Sequence, residues 1–161
     1  MSPNQYKPHI LVLPEDDANR QIANGFLQSP NLNARAIQVL PPAGGWQRTV
    51  EQFINDYVPT MRKFSQRMMV LLIDFDNREN RLSYAQSQIP DDLKERVFIL
   101  GVQSEPENLK RDINKSFEEI GDVLAQDCSD NTNELWEHEL LKHNKTELER
   151  MIVSVKPFLF N

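Results

Sequence analysis

Two stretches of the chain place carboxylates where apolar sequence stops. In Met68 to Asn80, MMVLLIDFDNREN, six apolar residues run into Asp74 and Asp76. In His9 to Asn19, HILVLPEDDAN, a second apolar run leads to Glu15, Asp16 and Asp17. A near-continuous apolar run ended by polar residues reads as a strand buried on both faces. Carboxylates at the end of such a strand are costly unless something cationic is held there. The two strand ends are therefore expected to meet and form one acidic site. Magnesium or manganese suits it, because both take oxygen ligands, keep several waters and need few protein carboxylates. Asp74 and Asp76 would point to opposite faces in a continuing strand, so joint ligation requires the backbone to turn there. Glu15 would complete the site as a ligand or as a proton acceptor. The plain alternative is that these acids cap the following helices, which explains Asp16 or Asp17 more easily than Asp74 and Asp76.

Phosphoryl chemistry at such a site needs further cations. Arg78 and Arg81 follow the paired aspartates and Arg20 lies one turn past Glu15, so each is a candidate phosphate contact. The alternative for each is a solvated helix position. Other candidates are weaker. His138-Glu139 begins like a zinc motif, but His143 comes one residue too late, and five residues at about 100° each set the rings roughly 140° apart. Cys128, the single cysteine, has no local base and excludes an internal disulfide. Gly44-Gly45 lacks the lysine and spacing of a phosphate-cradling loop.

These residues must be positioned by a fold. The 161 residues suit one domain spanning 1–161. Apolar residues make up 39% and charged ones 26%, as in ordinary globular chains. A net charge of −6 disfavours binding nucleic acid by bulk charge, although an acidic metal site contributes several of those negatives locally. No apolar run nears the roughly 18 residues that cross a bilayer. The start, MSPNQYKPHI, lacks a signal-peptide pattern, and with the single thiol this leads to a cytoplasmic expectation.

Strands are expected at 9–13, 34–40, 68–73 and 96–100. A helix is expected from Asp16 to Leu27, and another from Trp46 to Phe64 that Pro59 kinks or splits. Residues 77–87 read as a polar helix or loop. Ser104 and Glu107 have capping-box spacing before a helix with Leu109, Ile113, Phe117, Ile120 and Leu124 on its apolar face. A last helix is expected from about Asn133 to Val155. The order implies an α/β fold: a three-layer, mostly parallel four-stranded sheet with helices on both faces, plus two C-terminal helices. Ligands of such sheets sit beyond the C-terminal strand ends where the winding reverses, which is where both acidic clusters fall.

The pair ILVLPEDDANR and LLIDFDNRENR resembles the Toprim fold, the metal-binding domain of topoisomerases, primases and overcoming-lysogenisation-defect-type nucleases. That family carries a glutamate after its first strand and a DxD after its third. The likeness covers residues 9–101, and 104–158 would be a helical extension. It implies Glu15 as general acid or base, Asp74 and Asp76 as magnesium ligands, Asp17 as an auxiliary acid, and metal-dependent nuclease-like or phosphoryl-transfer activity, with nucleic acid or a protein as partner. The chain start also looks like a response-regulator receiver domain, in which Asp16 and Asp17 would bind magnesium and Asp74 would accept phosphate, with Lys156-Pro157 in the place of the receiver lysine. A third alternative is a non-catalytic, Toprim-like interaction module. Its C-terminal helix, with Trp136, Phe158 and Phe160, would then serve as a docking surface or homodimer contact, against the alternative that those residues pack in the core.

Overall fold

The apolar runs become strands because nearly all of their residues find a covered face. The computed structural model describes residues 2–160. β1 (His9–Pro14) and β4 (Val97–Leu100) are buried along their whole lengths, and β3 (Arg67–Leu72) nearly so. The short β2 (Ile37–Val39) lies at one edge. All four strands are parallel, in the order β2-β1-β3-β4. Alternation sends Ile10, Val12, Val70, Phe98 and Leu100 into one core and Leu11, Leu13, Met69, Leu71 and Ile99 into the other.

The first core is covered by α1 (Asp17–Phe26), α5 (Pro106–Ile113), α6 (Phe117–Asp130) and α7 (Lys145–Leu159). The second lies under α2 (Trp46–Gln52), α3 (Val58–Lys63) and α4 (Glu79–Gln88). The result is a three-layer α/β architecture. From β1 the chain passes to β2 over one face and then to β3 over the other, so the winding reverses between β1 and β3.

α1, which carries the first acidic cluster, is fixed by close contact with α6. A Cβ at Gly121 would fall 1.9 Å from the carbonyl oxygen of Ile22, so only glycine admits this approach. Pro59 splits its helix as expected. α2 runs into a π-helical turn at Phe53–Tyr57, and Pro59 sits in the first turn of α3, where its missing N–H costs nothing.

Several boundaries differ from the sequence expectation. Residues 34–36 form a 3-10 turn, with Asn33 Oδ1 accepting from the Arg35 N–H, so β2 is shorter than 34–40. The helix expected after Ser104 is two helices, broken where Asn114 takes a left-handed conformation (φ 52°). The capping box belongs to the second of them: Ser116 and Glu119 exchange bonds, whereas Ser104 Oγ accepts from Asn108 Nδ2. The last helix starts at Lys145 rather than near Asn133. Buried Asp127 holds the preceding segment in a loop by accepting from Leu135 N, Trp136 N and Thr132 Oγ1. Three helices, not two, therefore follow β4.

The free edge of β4 is closed by α7 and the turn before it. Asn144 bonds both the N–H and the carbonyl of Gly101, Glu147 accepts from Ile99 N, and Arg150 donates to Val97 O. Side chains three residues apart on a helix thus take the place of a fifth strand. Trp136 and Leu159 are buried in the first core, and Phe158 and Phe160 pack against it. No helix among the described residues is long and apolar enough to cross a membrane.

Candidate metal centre

The reversal point between β1 and β3 is where three carboxylates converge. Glu15 follows β1 directly, and its N–H still pairs with Leu72 O, so the side chain leaves the sheet at the β1–β3 seam. Its Oε1 accepts from the Asp74 N–H at 2.8 Å. Asp16 is the N-cap of α1, with Oδ1 accepting from Asn19 N at 3.0 Å. Asn19 Nδ2 donates both to Asp16 Oδ1 (2.9 Å) and to Asp74 Oδ1 (2.8 Å), tying the two strand ends together. One ligand atom from each of Glu15, Asp16 and Asp74 can be chosen so that all lie within 4.8 Å of one another. Each of these carboxylates keeps an oxygen with no protein hydrogen-bond partner among the described residues, and none is ion-paired there.

Desolvation dominates the electrostatics. Asp74 is 8% exposed, and burial pushes its carboxyl up to about 8, helped by the negative charges of Glu15, Asp16 and Glu107 and opposed by the Asn19 bond. Burial also raises Glu15, with Asp16 and Asp76 adding to the shift while the Asp74 N–H and Arg81 oppose it. Such a cluster favours a proton or a cation. Half-buried carboxylate oxygens with few protein bonds make a donor set that fits magnesium or manganese.

The remaining candidates are placed differently. Asp76 and the following Asn77 both take left-handed backbone (φ 50° and 56°), which ends the strand-like run after Phe75. The Asp76 carboxylate, 43% exposed, lies 3.5 Å from Arg81 Nη2 and 3.7 Å from Arg78 Nε. Asp17 faces solvent and accepts from Arg20 Nε at 2.8 Å and Gln21 Nε2 at 2.6 Å. Arg20 is thereby turned to Asp17, and Arg78 is exposed. Arg81 bonds the cluster's backbone: its Nη1 donates to the Asp74 carbonyl at 2.8 Å, and its guanidinium lies over the Trp46 ring. Lys156 lies in α7 and bonds Asn131. The Cys128 thiol is buried and pushed up to about 12, so it is inert.

Two contributors were not connected with the acidic site from sequence. Asn19 is fully buried, and its one clue is the D-x-x-N spacing from Asp16 at the helix start. Glu107 adds negative potential at Asp74 from the first turn of α5, a relation that sequence spacing does not express. Comparison with protein-family models, with curated proteins and with solved structures brings no match.

Proposed function

We propose that this is a divalent-cation domain in which Glu15, Asp16 and Asp74 hold magnesium or manganese for phosphoryl chemistry, in the manner of a Toprim-like nuclease or phosphoryl-transfer domain. One observation supports it above the others. Three carboxylates without a cationic partner among the described residues are gathered at the sheet's reversal point, one of them 8% exposed. When bound, the cation would offset their charge and polarise a phosphoryl oxygen. Burial raises the Glu15 carboxyl above the ordinary carboxylate range, so it holds a proton more readily than an exposed glutamate does. Arg81 braces the Asp74 backbone, and exposed Arg78 and Arg20 can reach an incoming phosphate only by leaving their aspartates. The substrate in this reading is a phosphodiester of nucleic acid, and the interaction-module alternative keeps a protein in that place.

A receiver-like phosphoacceptor reading is favoured by one specific feature: Asp16 stands in the cluster and Asp76 does not. Asp74 would then attack a phosphoryl donor such as acetyl phosphate. A bond forms between the carboxylate oxygen and phosphorus, the phosphorus–acetyl oxygen bond breaks, and acetate leaves.

The test is calorimetric titration of manganese into wild type and Asp74→Asn, followed by acetyl phosphate with mass spectrometry and by nuclease assays of wild type and Glu15→Gln. Wild type is expected to bind at least about 100-fold more tightly than Asp74→Asn, ~2.7 kcal/mol. Equal affinity in the two proteins would sink the cation reading. A gain of one phosphoryl group at Asp74 selects the second reading over the first.

A further inference from the structure

The seam between β1 and β3 has a second end. β1 starts at His9 and β3 at Arg67, partners in register, just as Pro14 and Leu72 are at the end that leads to the acidic cluster. At about 3.3 Å per residue the two ends stand roughly 17 Å apart. Arg67 is 8% exposed. Arginine is seldom buried so far unless it is paired, and an unpaired buried charge opposes folding. No carboxylate lies within ion-pair distance of it among the described residues. Burial lowers its pKa, and the neighbour acting against that, the Tyr57 phenol, is itself pushed up by burial and stays neutral.

The surroundings hold the guanidinium without neutralising it. His9 Nδ1 lies 2.7 Å from Lys7 O, so that nitrogen carries the proton, and Nε2 accepts from Arg67 Nε at 3.1 Å. The guanidinium lies over the Phe64 ring, 5.1 Å from its centroid. Lys63 Nζ approaches the same ring at 5.3 Å, a second cation without an ion-pair partner among the described residues. Nη1 and Nη2 of Arg67 are left over. Neither finds an acceptor among the described residues, and neither is sealed from solvent. Two free donors on a fixed planar fork match two oxygens of a carboxylate or phosphate.

We propose that the Arg67 end of the seam binds a small oxyanion, a carboxylate or a phosphoryl group, through two parallel N–H···O bonds from Nη1 and Nη2. The oxyanion supplies the charge partner that the fold withholds, and the His9 bond keeps the fork in place to receive it. The site is separate from the acidic centre and stands whether or not that centre holds a cation.

The experiment titrates acetate, phosphate and chloride at matched ionic strength into the full chain, reading the Arg67 Nε–H and His9 ring signals by NMR. Two charge-assisted bonds predict saturation by acetate or phosphate with a Kd on the order of 1 mM. Chloride has one centre and cannot span the fork, so it is expected to bind at least about tenfold more weakly. Arg67→Lys keeps the charge and loses the fork, and a loss of at least about tenfold in oxyanion affinity is expected there too. Phosphate stabilises folded chains generally by exclusion from their surface, so its effect on Tm counts only as the excess over Arg67→Met. If neither variant folds, the three-anion comparison on wild type still decides. Saturation by acetate alone makes the ligand a carboxylate, and by phosphate alone a phosphoryl group. Chloride binding as tightly as the oxyanions, or unchanged affinity in Arg67→Lys, overturns the paired-bond geometry. The absence of any saturable shift overturns the site and leaves the fork to water.

Discussion

At the end of β1 the adjacent acids Asp16 and Asp17 are divided by the start of a helix. At the end of β3 the alternate acids Asp74 and Asp76 are divided by a left-handed turn. In each pair one carboxylate is drawn into the reversal point and the other is sent to solvent. The outward pair is neutralised by arginines: Arg20 on Asp17, and Arg78 with Arg81 on Asp76. The inward acids, joined by Glu15, receive only amide donors, from Asn19 and the Asp74 N–H. Surface ion pairs of the first kind contribute about 0–1 kcal/mol each. Buried charges of the second kind oppose folding unless a proton or a cation joins them. The chain thus places its local arginines on the acids that need them least, and this asymmetry sets Glu15 and Asp74 apart from helix-cap chemistry, while Asp16 both caps α1 and joins the cluster.

The sharpest way to break the inward group is to remove its clamp. Asn19→Ala deletes two hydrogen bonds to carboxylates and leaves those oxygens in a half-buried site. A loss of roughly 2 kcal/mol in urea unfolding is expected. A merely structural role would stop there. A positioning role also weakens manganese binding about tenfold, since Asp16 and Asp74 are no longer held together. Unchanged affinity in the folded variant would limit Asn19 to stabilising the fold.

A pH series tests the same group without mutation. The Asp74 carboxyl is raised to about 8, so the folded state binds a proton that the unfolded state has already released, and stability falls as pH rises through that value. Glu15 shifts in the same direction. His9 and His143 are pushed down by burial from 6.5 and act oppositely at lower pH, so the diagnostic window is about pH 7 to 9. With chelator present, stability should drop there by on the order of 1 kcal/mol, about 3 °C in Tm. Added magnesium should restore it at the alkaline end. A flat or rising profile would contradict an unpaired buried carboxylate.

How much of this was legible in the sequence depends on the range of the interaction involved. The buried strands, their parallel order and the meeting of the two acidic ends follow from apolar runs that stop at carboxylates, and hydrophobic pattern reports these directly. Which acid turns inward does not, because Asp16 and Asp17 are chemically equal until α1 begins at Asp17. Asp76 turns out because it and Asn77 both enter the left-handed region, which these residue types permit without announcing. The break at Asn114 and the late start of α7 were hidden for a related reason. The apolar spacing through Leu109, Ile113, Phe117 and Ile120 is continuous, while the loop before α7 is set by Asp127, a buried polar residue bonded up to nine positions along the chain.

The smallest expected effects belong to the outward acids, and they are the most discriminating. Asp17→Asn loses an exposed ion pair with Arg20, and Asp76→Asn loses two long contacts, with exposed Arg78 and with the more buried Arg81, so unfolding free energies should stay within about 1 kcal/mol of wild type. Manganese affinity should stay within about twofold, because neither carboxylate lies in the cluster of Glu15, Asp16 and Asp74. The two variants bear differently on the ligand set. Asp17 has its hydrogen-bond partners within α1, whereas Asp76 sits two residues from Asp74 and faces Arg81, the α4 arginine that also braces the Asp74 carbonyl. Were Asp76→Asn to weaken manganese as much as Asp74→Asn while Asp16→Asn did not, the ion would be recruiting Asp76 by turning it away from Arg81. The ligand set would then be the two acids of the DxD, as the Toprim resemblance implies. Were Asp16→Asn the damaging change instead, the centre would draw one ligand from each strand end, as the folded geometry arranges them.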